Sequence, residues 1–211
     1  MYSRKGYEGD TFSALYVSKD KTIVLIDRES QRQSLWQYDI PSGTFDKLLY
    51  GHKLYDISGA ILDIDNNKVI GAFYYDNYRQ EHYFADEDLT VATTVQNSFK
   101  QYQTTIASMS EDKTKILVYA TRDNSPEKYF WLDLKINKGG FWFSQYPYLE
   151  SQSLAGKIPF EFEASDKMSL NGYLTLPVNA KYQGKNAPLV VLPHGGPIGV
   201  RDYQYFDPYV Q

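Results

Sequence analysis

The sequence predicts a mainly β protein whose N-terminal part is built from propeller-like blades. Aromatic residues make up 16% of the 211 positions, with 20 Tyr and 11 Phe, and such residues favour strands over helices. Short strand-like segments alternate with polar turns, and this pattern recurs at a fixed period. The hydrophobic share of 42% is large enough for a packed core, which excludes a disordered chain.

The repeat has a period of 47 residues and is clearest at Asp39, Asp86 and Asp133, each of which closes an aromatic-rich segment. Those segments predict strands at 35–38, 82–85 and 129–132, preceded by strands at 23–26, 70–73 and 117–120. Lysines 21, 68 and 115 enter the earlier strands from polar turns, and apolar residues at 15, 62 and 109 mark a further strand. A repeat of this length made of short strands is typical of propeller blades, with a plain antiparallel meander as the alternative.

The three predicted blades differ in their last strand. The first ends with an outer strand at 43–49, and the third has a strand at 141–143 after two glycines. In the second, the acidic residues 86–88 favour the start of a helix, whereas the β-branched residues up to Val95 favour a strand, and both remain open. Propellers close with about four to eight blades, so three repeats predict a piece of a longer protein.

The period ends after the third blade. Residues 146–157 predict a linker with one helical turn, and residues 158–163 and 170–177 predict an antiparallel hairpin around a turn at 165–167. Four apolar residues, Leu189 to Leu192, stand between two prolines and predict a short strand buried on both faces. The sequence His194-Gly195-Gly196-Pro197 follows and predicts a tight loop.

The apolar run at 188–192, the loop at 194–197, Arg201-Asp202 and Phe206-Asp207-Pro208 resemble the start of the catalytic domain in the prolyl oligopeptidase family, in its acylaminoacyl-peptidase-like and dipeptidyl-peptidase-like branch. The resemblance implies the last three blades of a β-propeller followed by the opening strands of an α/β-hydrolase domain. The expected domains are a partial propeller at 1–145, a linker at 146–157 and the N-terminal part of the peptidase domain at 158–211.

The resemblance also implies roles for the loop. The backbone N–H of Gly196 would be one donor of an oxyanion hole, and such a donor is worth roughly 3–4 kcal/mol in acyl transfer. Gly195 and His194 would support the loop, His194 by hydrogen bonding rather than as a base. Arg201 would either bind substrate or pair structurally with Asp202. An ordinary turn after a strand is the alternative for the two glycines.

The expected nucleophile is missing from the sequence. No Gly-x-Ser-x-Gly elbow occurs, and the hydrolase triad runs in the order Ser, Asp, His, so all three are expected beyond Gln211. His52 is interpreted as a loop residue and His82 as a packing residue in a repeat strand. The prediction is therefore an incomplete serine peptidase chain, inactive by itself, that hydrolyses short peptides through an acyl-serine intermediate in the longer protein. A propeller-bearing binding protein with an inactive hydrolase-like domain and an esterase are the alternatives.

The amino-acid composition limits the classes of partner that the chain could bind. A net charge of −4 and a pI of about 5.4 argue against nucleic acid, and no window reaches the roughly 18 apolar residues of a membrane span. The chain has no cysteine and no metal motif; residues 63–67 lack the glycine and glutamate of a calcium loop. We expect no cofactor and no metal, with a short peptide and the remainder of the polypeptide as partners. We expect a soluble chain, and homo-oligomerisation and the choice between cytoplasm and periplasm stay open.

Overall fold

The computed structural model describes residues 12–18, 20–27, 32–182, 187–196 and 200–211. They form a mainly β structure that divides into two compact units, Met1–Val91 and Ala92–Gln211. The described strands are β1 (Phe12–Ser18), β2 (Lys21–Asp27), β3 (Gln33–Asp39), β4 (Thr44–Tyr50), β5 (Ile57–Asp63), β6 (Lys68–Tyr75), β7 (Arg79–Tyr83), β8 (Gln103–Met109), β9 (Lys115–Arg122), β10 (Ser125–Asp133), β11 (Lys138–Ser144), β12 (Lys157–Glu163) and β13 (Ser169–Thr175), with helix α1 (Asp86–Ser98) after β7.

The first and third repeats are antiparallel meanders of four described strands each, ordered β1-β2-β3-β4 and β8-β9-β10-β11. This connectivity is that of a propeller blade, in which each strand pairs with the next along the chain. The second strand of each repeat begins at one of the periodic lysines: Lys21, Lys68 and Lys115. The predicted outer strands are present as β4 and β11. The mainly β fold class is therefore confirmed.

The second repeat departs from the pattern after its third strand. Its described sheet has the order β5-β6-β7, and β7 ends at Tyr83, before the predicted strand end at Asp86. The prediction that Asp86 closes a strand is wrong, because Asp86 begins helix α1. Three acidic residues fill the first helical turn, where the helix dipole favours negative charge, and the helical alternative prevails over the β-branched residues that follow.

In the first unit, β2 presents apolar side chains on both of its faces. Ile23 and Leu25 belong to a core cluster with Leu35 of β3 and two residues of the second repeat, Ile57 and Ala72. On the opposite face, Val24 packs with Trp36 and Tyr38, and the ring of Phe45 meets both aromatic rings edge-on at 6.0 and 5.2 Å. Alternation along the strand thus supplies two core layers from one β-strand.

The second unit repeats this arrangement with more aromatic side chains. Ile116, Val118 and Ala120 of β9 are buried on one face of the sheet. On that face Phe130 lies opposite Val118, and its ring contacts Phe99 at 4.7 Å. The other face carries a ladder of rings across three strands, in which Tyr129 contacts Tyr119 at 5.3 Å and stacks on Phe143 at 4.5 Å.

The segment after the third repeat forms the predicted helical turn and hairpin. A 3-10 turn spans Pro147–Leu149, and Glu150 pairs with Lys128 of β10 and accepts a hydrogen bond from Ser144 at 2.6 Å. Strands β12 and β13 pair in antiparallel register, with Lys167 at a φ of 72° in their turn. The third repeat and the hairpin lie in one compact unit, Ala92–Gln211. The linker at 146–157 as a boundary between two domains therefore stays a prediction.

Gly71 breaks the repeat in a way that gives a stability prediction. The equivalent positions hold Val24 and Val118, whose exposures are 0%, but a Cβ on Gly71 would lie 2.4 Å from the backbone oxygen of His82. We predict that Gly71→Val, although it restores the repeat pattern, lowers the free energy of unfolding by about 1–3 kcal/mol in urea titrations. Gly51→Ala is the control, since its Cβ would make an ordinary 3.5 Å contact with Ser34. A Gly71→Val protein as stable as the wild type would contradict this.

The ion pairs of Lys21 predict how the stability of the fold depends on pH. The ammonium of Lys21 donates to Asp39 at 2.6 Å and to Asp46 at 2.9 Å, and together with Ser42 it holds the pKa of Asp39 well below its ordinary value of 3.8. A lowered folded-state pKa contributes stability above the ordinary pKa, and this contribution is lost as the pH falls below it. Lys21→Met should therefore reduce stability at about pH 6, and the difference from wild type should shrink below pH 3.8 in urea titrations. Lys47→Met, on the exposed part of β4, should show no such pH-dependent difference.

Candidate functional site

The apolar run before the loop does not form the predicted strand. Residues 187–196 have no regular secondary structure, and Leu189, Val190, Val191 and Leu192 are 79%, 75%, 74% and 57% exposed. The prediction of a strand buried on both faces is thus wrong for the described structure. A buried strand needs backbone partners along its edges and side chains against its faces, and no described strand pairs with this run.

The loop itself is exposed at His194, Gly195 and Gly196. The Nδ1 atom of His194 lies 2.7 Å from the carbonyl oxygen of Gly195, so a protonated Nδ1 donates within the loop. A Cβ on Gly195 would meet no atom within 4 Å, and Gly196 has a φ of 156°, which side-chain-bearing residues rarely adopt. Pro197, which completes the motif, lies outside the described residues. The backbone of Gly195 is therefore open to approach.

Arg201 contacts its chain neighbours. Its Nε donates to the backbone oxygen of Asp202 at 3.4 Å, and its guanidinium carbon lies 5.4 Å from the ring centre of Tyr203. The contact with Asp202 is thus made by the backbone and not by the carboxylate. Among the described residues, no hydrogen bond joins Arg201 to His194, Gly195 or Gly196, so the predicted substrate role stays a prediction.

The chain after Arg201 lies against the third repeat. Phe206 is 6% exposed, its backbone N–H donates to the carbonyl oxygen of Arg122 at 3.1 Å, and its ring centre lies 5.9 Å from that of Tyr146. Asp207 begins the 3-10 turn Pro208–Val210 and accepts a hydrogen bond from the N–H of Tyr209 at 2.9 Å. This anchored segment, residues 200–211, comes after the glycine loop in sequence.

The hairpin carries an apolar face that the rest of the described structure leaves exposed. Ile158, Phe160 and Phe162 alternate along β12 and pair across the hairpin with Leu174, Gly172 and Leu170. Phe160 and Phe162 are 44% and 47% exposed, and their rings stack at 5.7 Å. The strand that the sequence predicts at 158–163 is present as β12, but the prediction that it is half-exposed is wrong, because both of its faces are exposed over these residues.

A cavity of about 340 Å³ lies in the second unit beside the start of the hairpin. It is lined by residues of the linker, of the chain after β13 and of the last 3-10 turn, among them Leu154, Leu176, Val178 and Val210. None of the predicted site residues lines it. The walls of the cavity are mostly apolar. Elsewhere too, within the described part of the chain, no group of three His, Asp or Glu side chains could hold a metal ion.

Two residues that hold the anchored segment, Asp123 and Lys157, belong to no pattern that sequence reasoning could recognise. Asp123 lies in the connection from β9 to β10, and its carboxylate accepts the backbone N–H of Lys157 at 2.9 Å. The two positions are 34 residues apart and belong to no motif, so only the folded structure brings them together.

No helix in the described ranges is long and apolar enough to span a membrane.

The blades, the hairpin and the glycine loop agree in order with a propeller-bearing hydrolase, and comparisons with known proteins point the same way. No family model matches the chain. Dipeptidyl aminopeptidase BIII from Pseudoxanthomonas mexicana is 29% identical over 192 residues, which cover 88% of this chain and 27% of that protein. The chain thus spans about a quarter of the curated relative's length.

A solved structure from a study of two prolyl endopeptidases has a similar fold. It superposes with a TM-score of 0.50 over 83% of this chain and 25% of that chain, at 11% sequence identity, which speaks for the fold alone. The sequence match supports the relationship to prolyl oligopeptidase family peptidases that the loop residues indicate, and the structural match supports the fold.

Proposed function

We propose that this chain is the part of a serine peptidase that carries the last propeller blades and the oxyanion loop. The observation that carries the proposal is the match to a dipeptidyl aminopeptidase, which extends over 88% of the chain. The nucleophilic Ser and its Asp and His partners would lie beyond Gln211, in the remainder of the same polypeptide.

The proposed chemistry is acyl transfer. The Ser oxygen attacks the peptide carbonyl carbon and gives its proton to the His, and the carbonyl oxygen becomes an oxyanion. The C–N bond then breaks, and the leaving amine takes that proton, so that an acyl-serine remains. Water hydrolyses the ester in a second, equivalent step. The His-Gly-Gly loop acts in both steps, because each passes through an oxyanion.

Gly196 is the proposed donor to that oxyanion. The loop is exposed, and the space around Gly195 is empty, so a substrate carbonyl could approach the backbone without meeting a side chain. The hydrogen bond between His194 and the carbonyl of Gly195 restricts the loop on the side away from the donor. Restriction of this kind matters because preorganised donors need no reorganisation when charge develops.

The proposed substrates are short peptides. The curated relative is named as a dipeptidyl aminopeptidase, which makes the release of N-terminal dipeptides the first activity to test. An esterase on the same scaffold would prefer simple esters to peptide amides. A binding protein with an inactive hydrolase-like domain would cleave neither.

The experiment uses the full reading frame that contains this chain and compares a dipeptidyl amide with the matching ester. We predict amide hydrolysis by the wild type and a decrease in kcat of about 10²–10³-fold for Gly196→Ala, with a smaller change in KM. The added Cβ would force the backbone away from its φ of 156° and turn the N–H from the oxyanion.

Gly51→Ala is the matched control, since its Cβ fits without displacing its neighbours, and it should keep wild-type kcat. Hydrolysis of the ester without the amide would favour the esterase. A folded protein that cleaves neither would favour the binding module, and an active Gly196→Ala enzyme with unchanged kcat would remove Gly196 from the oxyanion hole.

A further inference from the structure

Lys157 is the first residue of β12, and both its backbone N–H and its backbone carbonyl form hydrogen bonds to side chains. Its N–H donates to Oδ2 of Asp123 at 2.9 Å, and its carbonyl oxygen accepts a hydrogen bond from Nε2 of Gln204 at 2.8 Å. The first bond joins the hairpin to the β9–β10 connection, and the second joins it to the segment after the glycine loop. Lys157 therefore stands between two parts of the chain that are far apart in sequence.

The side chain of Lys157 reaches the same segment. It is 8% exposed, and its ammonium donates to the carbonyl oxygen of Tyr203 at 3.3 Å and lies 3.9 Å from Oδ2 of Asp207. The ring of Tyr173 lies beside it, 5.8 Å from the nitrogen to the ring centre. An ammonium this buried is costly unless it is paired, so the residues 203–207 supply the partners that keep Lys157 inside.

The approach of Asp123 depends on Gly156. A Cβ at position 156 would lie 2.9 Å from Oδ2 of Asp123, closer than real Cβ contacts allow. The neighbouring residue, Arg122, accepts the backbone N–H of Phe206 at 3.1 Å. Two consecutive residues of the third repeat thus hold both the start of the hairpin and the segment that follows the loop.

Gln211 makes a parallel connection. Its side-chain amide accepts the N–H of Ala155 at 2.9 Å and donates to the carbonyl oxygen of the same residue at 3.2 Å. This two-way bond resembles a backbone pairing and ties the end of the segment to the linker. The segment is therefore held at Tyr203, at Phe206 and at Gln211.

We propose that Asp123 and Lys157 form a latch that fixes residues 203–207 on the third repeat and thereby limits the positions open to the His194-Gly195-Gly196 loop, which precedes these residues in sequence. Both are positioning residues, because they act through the segment and touch no reacting atom. Their effect on catalysis rests on the proposed peptidase function, whereas their effect on the segment does not. Displacing a reacting group by about 1 Å can cost as much as 100-fold in rate.

The test measures hydrogen exchange and kinetics on the full-length protein. In Asp123→Ala, the amide of Phe206 should exchange at least about tenfold faster, although its own acceptor, Arg122, is unchanged. The amides paired between β9 and β10 should keep wild-type protection, which separates release of the segment from unfolding of the sheet. The kcat for the dipeptidyl amide should fall by about tenfold or more, with little change in KM.

Further variants test the geometry. Asp123→Asn keeps an acceptor oxygen and should restore protection of Phe206, and Lys157→Met should release the segment as Asp123→Ala does. Gly156→Ala should also release it, but should add nothing in the Asp123→Ala background, where the clashing carboxylate is gone. Lys167→Met, which removes an exposed ion pair with Glu163 in the same hairpin, is the control and should match the wild type.

The outcomes separate the two proposals. Unchanged Phe206 exchange in Asp123→Ala and Gly156→Ala would overturn the latch, whatever the activity. Faster exchange with unchanged kcat in an active enzyme would overturn its positioning role. If the wild type hydrolyses no peptide, the proposed function fails, while the exchange data still decide whether the latch holds the segment.

Discussion

The second strand of each repeat carries buried residues at its centre, and the arrangement of the neighbouring strands follows from that constraint. In β2, Val24 faces one core layer while Ile23 and Leu25 face the other. A strand in this position needs a hydrogen-bonded neighbour along each edge and a cover over each face, which the meander supplies. In the second repeat Gly71 stands where the other two repeats have valine. The backbone carbonyl of His82 occupies the space that a valine side chain would need.

Most strands of the repeats could be predicted from the sequence, because a buried strand repeats its apolar pattern whenever its surroundings repeat. The periodic lysines located the start of β2, β6 and β9 to the residue. The end of the second repeat could not be settled in the same way. Acidic residues that stabilise a helix start and β-branched residues that favour a strand overlap there, and local preferences alone do not decide between them.

The candidate site was only partly accessible to the same reasoning. The glycines and His194 were predicted to form a loop because loop chemistry is local, and the structure places them in one exposed loop, while their catalytic role stays a prediction. The apolar run of Leu189 to Leu192 was predicted to be buried and is exposed, since an apolar pattern indicates what a strand would bury and not whether its neighbours are present. The contact of Asp123 with Lys157 had no sequence signal, because it joins residues that share neither a motif nor a period.

In sequence, the glycine loop precedes the residues that the latch holds. Gly196 ends the described part of the loop, and Tyr203, Phe206 and Gln211 attach the following residues to the third repeat and the linker. A catalytic loop is useful only if its donor has a fixed position, and a fixed position needs anchored backbone beside it. In the proposed peptidase the third repeat would supply that anchor.

The proposed serine peptidase function is tested most directly by covalent labelling of the full-length protein with a fluorophosphonate probe, followed by mapping of the labelled peptide. We predict one labelled Ser, C-terminal to Gln211 and within a Gly-x-Ser-x-Gly sequence, with no label when that Ser is changed to Ala. A folded full-length protein that takes no label, or a label on a serine within residues 1–211, would contradict it.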